Sequence, residues 1–183
     1  MIKKNHIPWY IKDVKNLQIC SKGLYDNSVP NISFDKDGVC NYNKLIEEMG
    51  HIYPGGEKGK KELQAKVDEI KKAGKGNKYD CVIGVSGGCD SSYMVYLMKE
   101  VYGLRPLAVH FDNTWNSSIA TENIRKVLTA LDVDLFTIVV DNKEYDDIYR
   151  SFIEAGVPDI EAPTDIALAT TMYKGAAKYN IKY

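Results

Sequence analysis

The chain has 183 residues, 44% of them hydrophobic and 27% charged, which is enough for one full domain with a substantial core. Its 24 basic and 25 acidic residues give a net charge of -1, so no overall positive field favours nucleic acid or anionic lipid as a partner. No apolar run reaches the roughly 20 residues of a membrane-spanning helix, and the N-terminal residues lack the apolar core of a signal peptide. We therefore expect a cytoplasmic protein without membrane contact.

The first part of the chain, residues 1–59, is rich in turn-forming residues and shows no sustained helical or strand period. We interpret it as an N-terminal appendage to a main domain over residues 60–183. That domain opens with an amphipathic helix over Lys60–Ala73, and Gly74 is the predicted left-handed residue that ends it.

Strand-like and helical patterns alternate through the main domain. The predicted strands are 80–85, 106–111 and 135–140, and the predicted helices are 91–101, 120–131, 145–153 and a last one from Thr164, as N-cap, to about Lys178. Alternating elements with nearly continuous apolar strands predict an α/β fold, an open parallel sheet with helices on both faces. The last three residues read as the start of a further strand, so we expect the domain to be incomplete at its C-terminus.

One loop carries the strongest chemical signal. A buried strand turns through Gly87 and Gly88 directly into a helix, and such a turn points free N–H groups and the positive end of the helix dipole at a bound anion. Ser86, Ser91 and Ser92 add hydroxyl groups. Asp90 places a carboxylate beside the expected phosphate, where only a metal ion or a cationic group would offset the repulsion between the two negative charges. The loop therefore predicts a site for pyrophosphate with Mg²⁺.

A plainer interpretation is an ordinary tight turn whose Asp or Ser caps the helix. The loop also lacks the defining residues of the GxGxxG and GxxxxGK[ST] motifs, so it predicts neither a dinucleotide-binding nor a Walker-type site. Cys89 fills the variable position of the loop, where we expect a small, inert side chain rather than a reactive thiol.

A second set of polar residues follows the next strand. Asp112, Asn113 and Asn116 lie where open α/β sheets bind ligands, although a merely polar loop would look the same. His110 is interpreted as a structural residue that is satisfied at the strand end. Asp165, in the first turn of the last helix, is left open as a ligand-binding residue.

The loop Ser86-Gly-Gly-Cys-Asp-Ser91 resembles the pyrophosphate loop of the PP-loop, or N-type, ATP pyrophosphatases. Within that superfamily the chain is most similar to the N-acetyl sugar amidotransferases of bacterial surface-polysaccharide (lipopolysaccharide, O-antigen) biosynthesis. The similarity runs from about Ile19 to the C-terminus and is specific over residues 79–116. It rests on these segments: Gly74-Lys-Gly76, Tyr79-Asp-Cys81, Ser91-Ser-Tyr93, Gly103–Asn113, Trp115-Asn116, Val139-Val-Asp141, Val157-Pro-Asp159 and Pro163-Thr-Asp165.

The resemblance implies a PP-loop ATP-binding domain over residues 60–183 that uses ATP and Mg²⁺. Such an enzyme adenylates the acetamido oxygen of an N-acetyl sugar and replaces it with nitrogen from ammonia, which a separate glutaminase subunit supplies. The implied catalytic residues are Ser86, Asp90 and Ser91, with Asp90 also on Mg²⁺. The implied nucleotide-binding residues are Ser86, Gly87, Gly88, Cys89, Asp90, Ser91, Ser92, Asp112 and Asn113, and the implied substrate-binding residues are Asn116, Thr164 and Asp165.

The appendage departs from this family. Members of that family often carry two Cys-x2-Cys pairs, which suit a four-thiolate zinc site, whereas here the corresponding pairs are Cys20 with Gly23 and Cys40 with Asn43. We therefore expect no zinc, since His6 or His51 would have to replace the missing thiolates. Packing of Ile32, Phe34 and Val39 would then hold the region together.

Two alternatives stay open: a PP-loop tRNA-modifying thiolase or ligase, and a nucleotide-binding fragment without turnover. The near-neutral charge weighs against the tRNA version. Because the resemblance implies the strand order 3-2-1-4-5, the first strand would lie near an open edge. We therefore expect a homo-oligomer, a second polypeptide that completes the sheet, or a chain that is a fragment of a longer enzyme.

Overall fold

The structure is a computed structural model and describes residues 16–183. The chain divides into two compact units, with the boundary between Lys61 and Glu62. Among the described residues, no helix combines the length and the apolar character needed to span a membrane.

The described part of the first unit, from residue 16 onward, contains two small turns and a helix, α1 (Asn41–Ile52). Isolated antiparallel bridges, Ile19 with Asp26 and Phe34 with Cys40, close the two turns. Cys20, Val39 and Cys40 are buried, and Ile32, Phe34 and Tyr42 pack against them, so the predicted packing of this region is confirmed.

Helix α1 was not predicted. Leu45, Met49 and Ile52 have helical spacing, but Gly50 and the turn-rich flanks hide the pattern in the sequence. Each of these three apolar side chains is about half exposed or more, so burial does not explain the helix. The interpretation of residues 1–59 as a region without a sustained helix was therefore wrong for Asn41–Ile52.

The second unit is built on a parallel sheet. The strands are β1 (Cys81–Gly84), β2 (Pro106–Asp112) and β3 (Leu135–Val139), in the order β1-β2-β3. The register sets Ile83 opposite Ala108 and Phe111 opposite Ile138. The N–H of Val82 also donates a 2.8 Å hydrogen bond to the carbonyl of Tyr183, so the last residue of the chain lies beside β1.

Helices cover both faces of this sheet. The remaining helices are α2 (Gly56–Ala73), α3 (Cys89–Tyr96), which continues as a π-helical turn over Leu97–Val101, α4 (Ser118–Ala130), α5 (Asn142–Glu154) and α6 (Ala162–Lys178). One face buries Ile83 and Ala108 against residues of α2, α3 and α4. The opposite face buries Leu107 and Val109 against α6. The predicted α/β fold is therefore confirmed.

Gly74 does not have the left-handed conformation that the sequence predicted. The left-handed glycine is Gly76, with φ +86°. Gly74 is required for another reason, because a Cβ there would lie 2.2 Å from Oδ1 of Asp80. Its carbonyl accepts a 2.9 Å hydrogen bond from Arg105, which joins the end of α2 to the start of β2.

Candidate functional site

The loop between β1 and α3 makes a sharp turn at the edge of the sheet. Val85 still belongs to the ladder, since its N–H donates to the carbonyl of Val109 at 2.9 Å. Gly87 then adopts φ +79°, and Gly88 is the extended N-cap residue of α3. The first N–H groups of a helix have no acceptor within the helix, and the positive end of its dipole lies there. The loop therefore has the geometry of an anion-binding turn.

The serines of the loop converge on one another. Ser91 Oγ lies 3.3 Å from both the N–H and the hydroxyl of Ser86. Ser92 Oγ donates to the carbonyl of Gly88 at 2.7 Å. Cys89 and Asp90, the first two residues of α3, are exposed. All the predicted loop residues from Ser86 to Ser92 thus lie in one turn, with hydroxyls and a carboxylate beside the helix N-terminus.

The first turns of α4 support the loop from behind. Gly87 is buried, and a Cβ on it would lie 2.3 Å from the carbonyl oxygen of Ala120. Asn123 Nδ2 donates a 3.1 Å hydrogen bond to the Gly87 carbonyl. Neither α4 residue was predicted as part of the site. The available signal was a polar Asn123 next to the buried Ile124 on the apolar stripe of that helix.

His110 joins the loop to the segment that follows β2. Its Nδ1 lies 2.8 Å from the carbonyl oxygen of Val85, and its Nε2 lies 3.3 Å from Nδ2 of Asn116. Because the carbonyl only accepts and the amide nitrogen only donates, the ring carries its proton on Nδ1. Asn116 Nδ2 also donates to Oδ1 of Asp112 at 2.9 Å. His110 is buried and satisfied at the strand end, as predicted.

Asp112 and Asn113 form the turn after β2. Oδ1 of Asp112 accepts from the N–H of Thr114 at 2.8 Å, and Oδ1 of Asn113 accepts from the N–H of Trp115 at 3.1 Å. These bonds hold Thr114 in a left-handed conformation with φ +65°. The two predicted nucleotide-binding side chains are half-buried and serve the turn itself. Their ligand role stays a prediction.

Trp115 packs against an aromatic cluster. Its ring centroid lies 4.6 Å from that of Tyr149 and 6.0 Å from that of Tyr145, while the residue remains 56% exposed. The hydroxyls of both tyrosines contact Oγ1 of Thr164, that of Tyr145 at 2.8 Å. Burial is the main cause that raises the pKa of Tyr145 above its ordinary value.

Thr164 is not the N-cap of the last helix, so that prediction was wrong. Helix α6 begins earlier, at Ala162 with Glu161 as N-cap, because Pro163 is tolerated in the first turn, where a backbone N–H is not needed. Thr164 then lies inside the first turn, and its hydroxyl reaches the tyrosines of α5. Asp165 is exposed, and its carboxylate makes no hydrogen bond or ion pair within residues 16–183.

The loop from Ser86 to Ser92 offers one carboxylate, that of Asp90, as a ligand for Mg²⁺. Asp90 is exposed and unpaired within the described part of the chain. Over the same residues, no group of three or more His, Cys, Asp or Glu side chains could hold a metal ion by itself. Because Mg²⁺ typically takes one or two carboxylates together with water and phosphate oxygens, Asp90 fits an ion that arrives with a polyphosphate.

Two cavities lie next to the residues that surround the glycine loop. One of about 550 Å³ is bordered by His110, Asp112 and the apolar face of α4. The other, of about 490 Å³, lies between α5 and α6 and is bordered by Tyr145. The residues from Ser86 to Ser92 border neither cavity, so the loop lies on the open surface beside them.

Comparison with known proteins gives partial similarities. No family model matches the chain. It is 37% identical over 103 residues to an uncharacterized protein of Methanocaldococcus jannaschii, a match that covers 56% of this chain and 35% of that protein. The NH3-dependent NAD synthetase from Campylobacter jejuni, solved with nitrate, has a TM-score of 0.47 and 19% identity, covering 66% of this chain and 53% of that one. For the NMN synthetase from Francisella tularensis the TM-score is 0.46 and the identity 20%, covering 66% and 51%. The chain thus spans about a third of the first relative and about half of each synthetase.

Proposed function

We propose that the second unit is the ATP-binding part of a PP-loop enzyme that activates an amide by adenylation and then forms a C–N bond. The observation that carries the proposal is the turn at Gly87, whose positive φ and contact with Ala120 set two serine hydroxyls and Asp90 around the N-terminus of α3. A turn of this kind binds the β- and γ-phosphates of a nucleotide through backbone N–H groups.

The chemistry explains why ATP is needed. An amide oxygen is a poor leaving group, so ammonia does not displace it directly. In the proposed reaction the amide oxygen attacks the α-phosphorus of ATP, and the bond to pyrophosphate breaks. Ammonia then attacks the activated carbon, loses protons to solvent and expels AMP, which carries the former amide oxygen.

The residues of the loop act on the departing pyrophosphate. The N–H groups of the turn and the hydroxyls of Ser86 and Ser91 donate hydrogen bonds to the charge that develops on its oxygens. Asp90 would hold a Mg²⁺ ion that arrives with the phosphates, and the chemistry supplied there would be positive charge beside the departing pyrophosphate. Asp112 and Asn113 form a polar edge beside the nucleotide, in keeping with the nucleotide-binding role that the resemblance implies for them.

We propose an N-acetyl sugar of surface-polysaccharide biosynthesis as the acceptor, with ammonia from a glutaminase subunit. The support is the resemblance over residues 79–116. Of the three proposed substrate-binding residues, Asn116 and Thr164 already bond to other side chains, so they would shape the site. Asp165 is the exposed carboxylate that remains to accept hydrogen bonds from sugar hydroxyls.

A direct assay tests the proposal. The protein is incubated with ATP, Mg²⁺, ammonium and an N-acetylated nucleotide sugar, and the nucleotides are separated by chromatography. We expect AMP and pyrophosphate in equal amounts, dependent on the sugar. Release of ADP and phosphate would contradict the adenylation chemistry, and ATP binding without AMP would favour the nucleotide-binding fragment instead. Ammonium in the assay removes the need for the glutaminase.

A further inference from the structure

Two buried thiols in the first unit are bridged by an amide. Nδ2 of Asn43 lies 3.0 Å from Sγ of Cys20 and 3.3 Å from Sγ of Cys40. The backbone N–H of Cys40 also donates to Sγ of Cys20, at 3.2 Å. Both cysteines are free thiols with exposed fractions of 4% and 0%. The side chain of Asn43 therefore lies between the two sulfur atoms.

The residues around these thiols form two equivalent turns. The N–H of Gly23 donates to the carbonyl of Cys20 at 3.4 Å, and the N–H of Asn43 donates to the carbonyl of Cys40 at 3.1 Å. Each turn lies next to an antiparallel bridge, Ile19 with Asp26 in one case and Phe34 with Cys40 in the other. A four-thiolate zinc site is built on two turns of this spacing that supply two thiolates each. Here each turn supplies one thiol, and we call positions 20, 23, 40 and 43 the frame.

Gly23, at the position of the missing thiolate in the first turn, also faces the amide of Asn43. A Cβ built on Gly23 would lie 2.5 Å from Nδ2 of Asn43, closer than real Cβ contacts come. Positions 20, 23, 40 and 43 thus converge on one point, and the amide nitrogen occupies it. Glycine at position 23 leaves the room that the amide needs.

We propose that the side-chain amide of Asn43 replaces a metal ion at the centre of this frame, so that a thiol–amide bridge organises the first unit in place of zinc. The amide suits the role because its NH2 group offers two donors and the two sulfur atoms accept them. Two thiols alone do not complete a tetrahedral site.

Within residues 16–183, no other side chain completes a metal site with the two thiols. Across residues 16–183, no group of three or more His, Cys, Asp or Glu could hold a metal ion. His51, one of the two histidines considered as a substitute ligand, lies in the last turn of α1 and belongs to no such group. His6, the other, lies outside the described residues.

Metal binding by the full chain tests the proposal. The protein is loaded with Zn²⁺ under reducing conditions and desalted, and the bound metal is measured by mass spectrometry. Co²⁺ is used in parallel, because tetrahedral thiolate coordination gives intense visible absorption. We expect no stoichiometric metal on the natural sequence and an unfolding temperature that a chelator does not change. About one equivalent of Zn²⁺ on the natural sequence, with a chelator-sensitive unfolding temperature, would overturn the proposal.

The double variant Gly23→Cys with Asn43→Cys tests the frame itself. It should bind about one equivalent of Zn²⁺ and give the Co²⁺ thiolate spectrum, because it restores four thiolates at the converging positions. A folded double variant that binds no metal would contradict the proposed convergence.

Two single variants decide the matter if the double variant does not fold. Gly23→Ala should displace the amide from the thiols and increase their rate of alkylation, whereas Gly50→Ala, at a helical glycine whose new methyl group would meet no atom within 4 Å, should not. Asn43→Leu keeps the size of the side chain but removes both donors. Because the lost donor also raises the pKa of the Cys20 thiol, the alkylation rates of both variants are compared with that of the natural sequence at equal thiolate fraction, where each variant should react faster. Unchanged alkylation in both Gly23→Ala and Asn43→Leu would overturn the proposal.

Discussion

Arg105 holds the buried carboxylate of Asp80 with three hydrogen bonds. Nε and one terminal nitrogen of the guanidinium donate to the carboxylate at 3.1 Å and 2.5 Å, and the backbone N–H of Arg105 adds a bond of 2.8 Å. The same guanidinium donates to the carbonyls of Gly74 and Asn77. One side chain therefore ties the end of α2 to the starts of β1 and β2.

Removing this guanidinium should destabilise the fold. Arg105→Ala leaves the 4%-exposed Asp80 without its charged partner, and we expect a loss of about 2 to 3 kcal/mol in the free energy of unfolding. The expected loss lies below the range for a fully buried pair because the Arg105 side chain is itself half exposed. Denaturant unfolding measures it. The control is Arg125→Ala, which breaks the exposed pair with Glu122 and should cost much less, because solvent screens that pair. Equal losses in the two variants would contradict the argument.

Gly87→Ala should abolish nucleotide binding. A methyl group there meets the backbone carbonyl of Ala120 at 2.3 Å and also requires an L-residue at φ +79°, so the loop must move. The matched control is Gly156→Ala, which has φ +65° but no atom within 4 Å of the new methyl group. Both variants should lose about 1 kcal/mol or more from backbone strain, but only Gly87→Ala should lose ATP binding in calorimetry. Retained binding in Gly87→Ala would exclude this loop as the nucleotide site.

Asp90→Asn should separate catalysis from stability. The side chain is exposed at the first turn of α3, so we expect little change in unfolding temperature. The rate of AMP formation should fall by about 100-fold or more, because the carboxylate that holds Mg²⁺ beside the phosphates is lost. Asp146→Asn, at an exposed carboxylate on α5, serves as the control and should keep the full rate. An unchanged rate in Asp90→Asn would remove this residue from the proposed site.

The thiol of Cys20 should titrate near neutral pH. Burial raises its pKa, but hydrogen bonds from the backbone N–H groups of Cys40 and Lys22, and from the Cys40 and Asn43 side chains, lower it to about 7 from 9.0. Because the pKa in the folded chain lies below that in the unfolded chain, the thiolate stabilises the fold fully above about pH 9, and this contribution is lost as the pH falls through about 7.

Ultraviolet absorbance of the thiolate, followed against pH, checks this expectation. The natural sequence should show a titration near 7, which Asn43→Leu should move upward because the amide donor to Cys20 is lost. Cys89→Ser serves as the background for the exposed thiol. A titration that stays near 9.0 in the natural sequence would contradict the assigned hydrogen bonds.

The sequence predicts the parts of this structure that depend on neighbouring residues. The apolar run before Ser86 and the glycines after it indicate a strand, a turn and a helix, and all three are present. The contact of Gly87 with Ala120 could not be predicted in the same way, because it depends on where α4 packs against the sheet. The prediction that Thr164 is the N-cap of the last helix was wrong for a related reason. Its hydroxyl finds the tyrosines of α5, which are distant in sequence.

The imidazole of His110 sets the separation of two surface turns. One ring nitrogen meets the carbonyl of Val85, just before the glycine turn, and the other meets Asn116, which belongs to the turn after β2. The width of a flat, rigid ring thus fixes how far apart these turns stand. A ligand that touches both would find its two anchor points already spaced, without any closing motion of the chain.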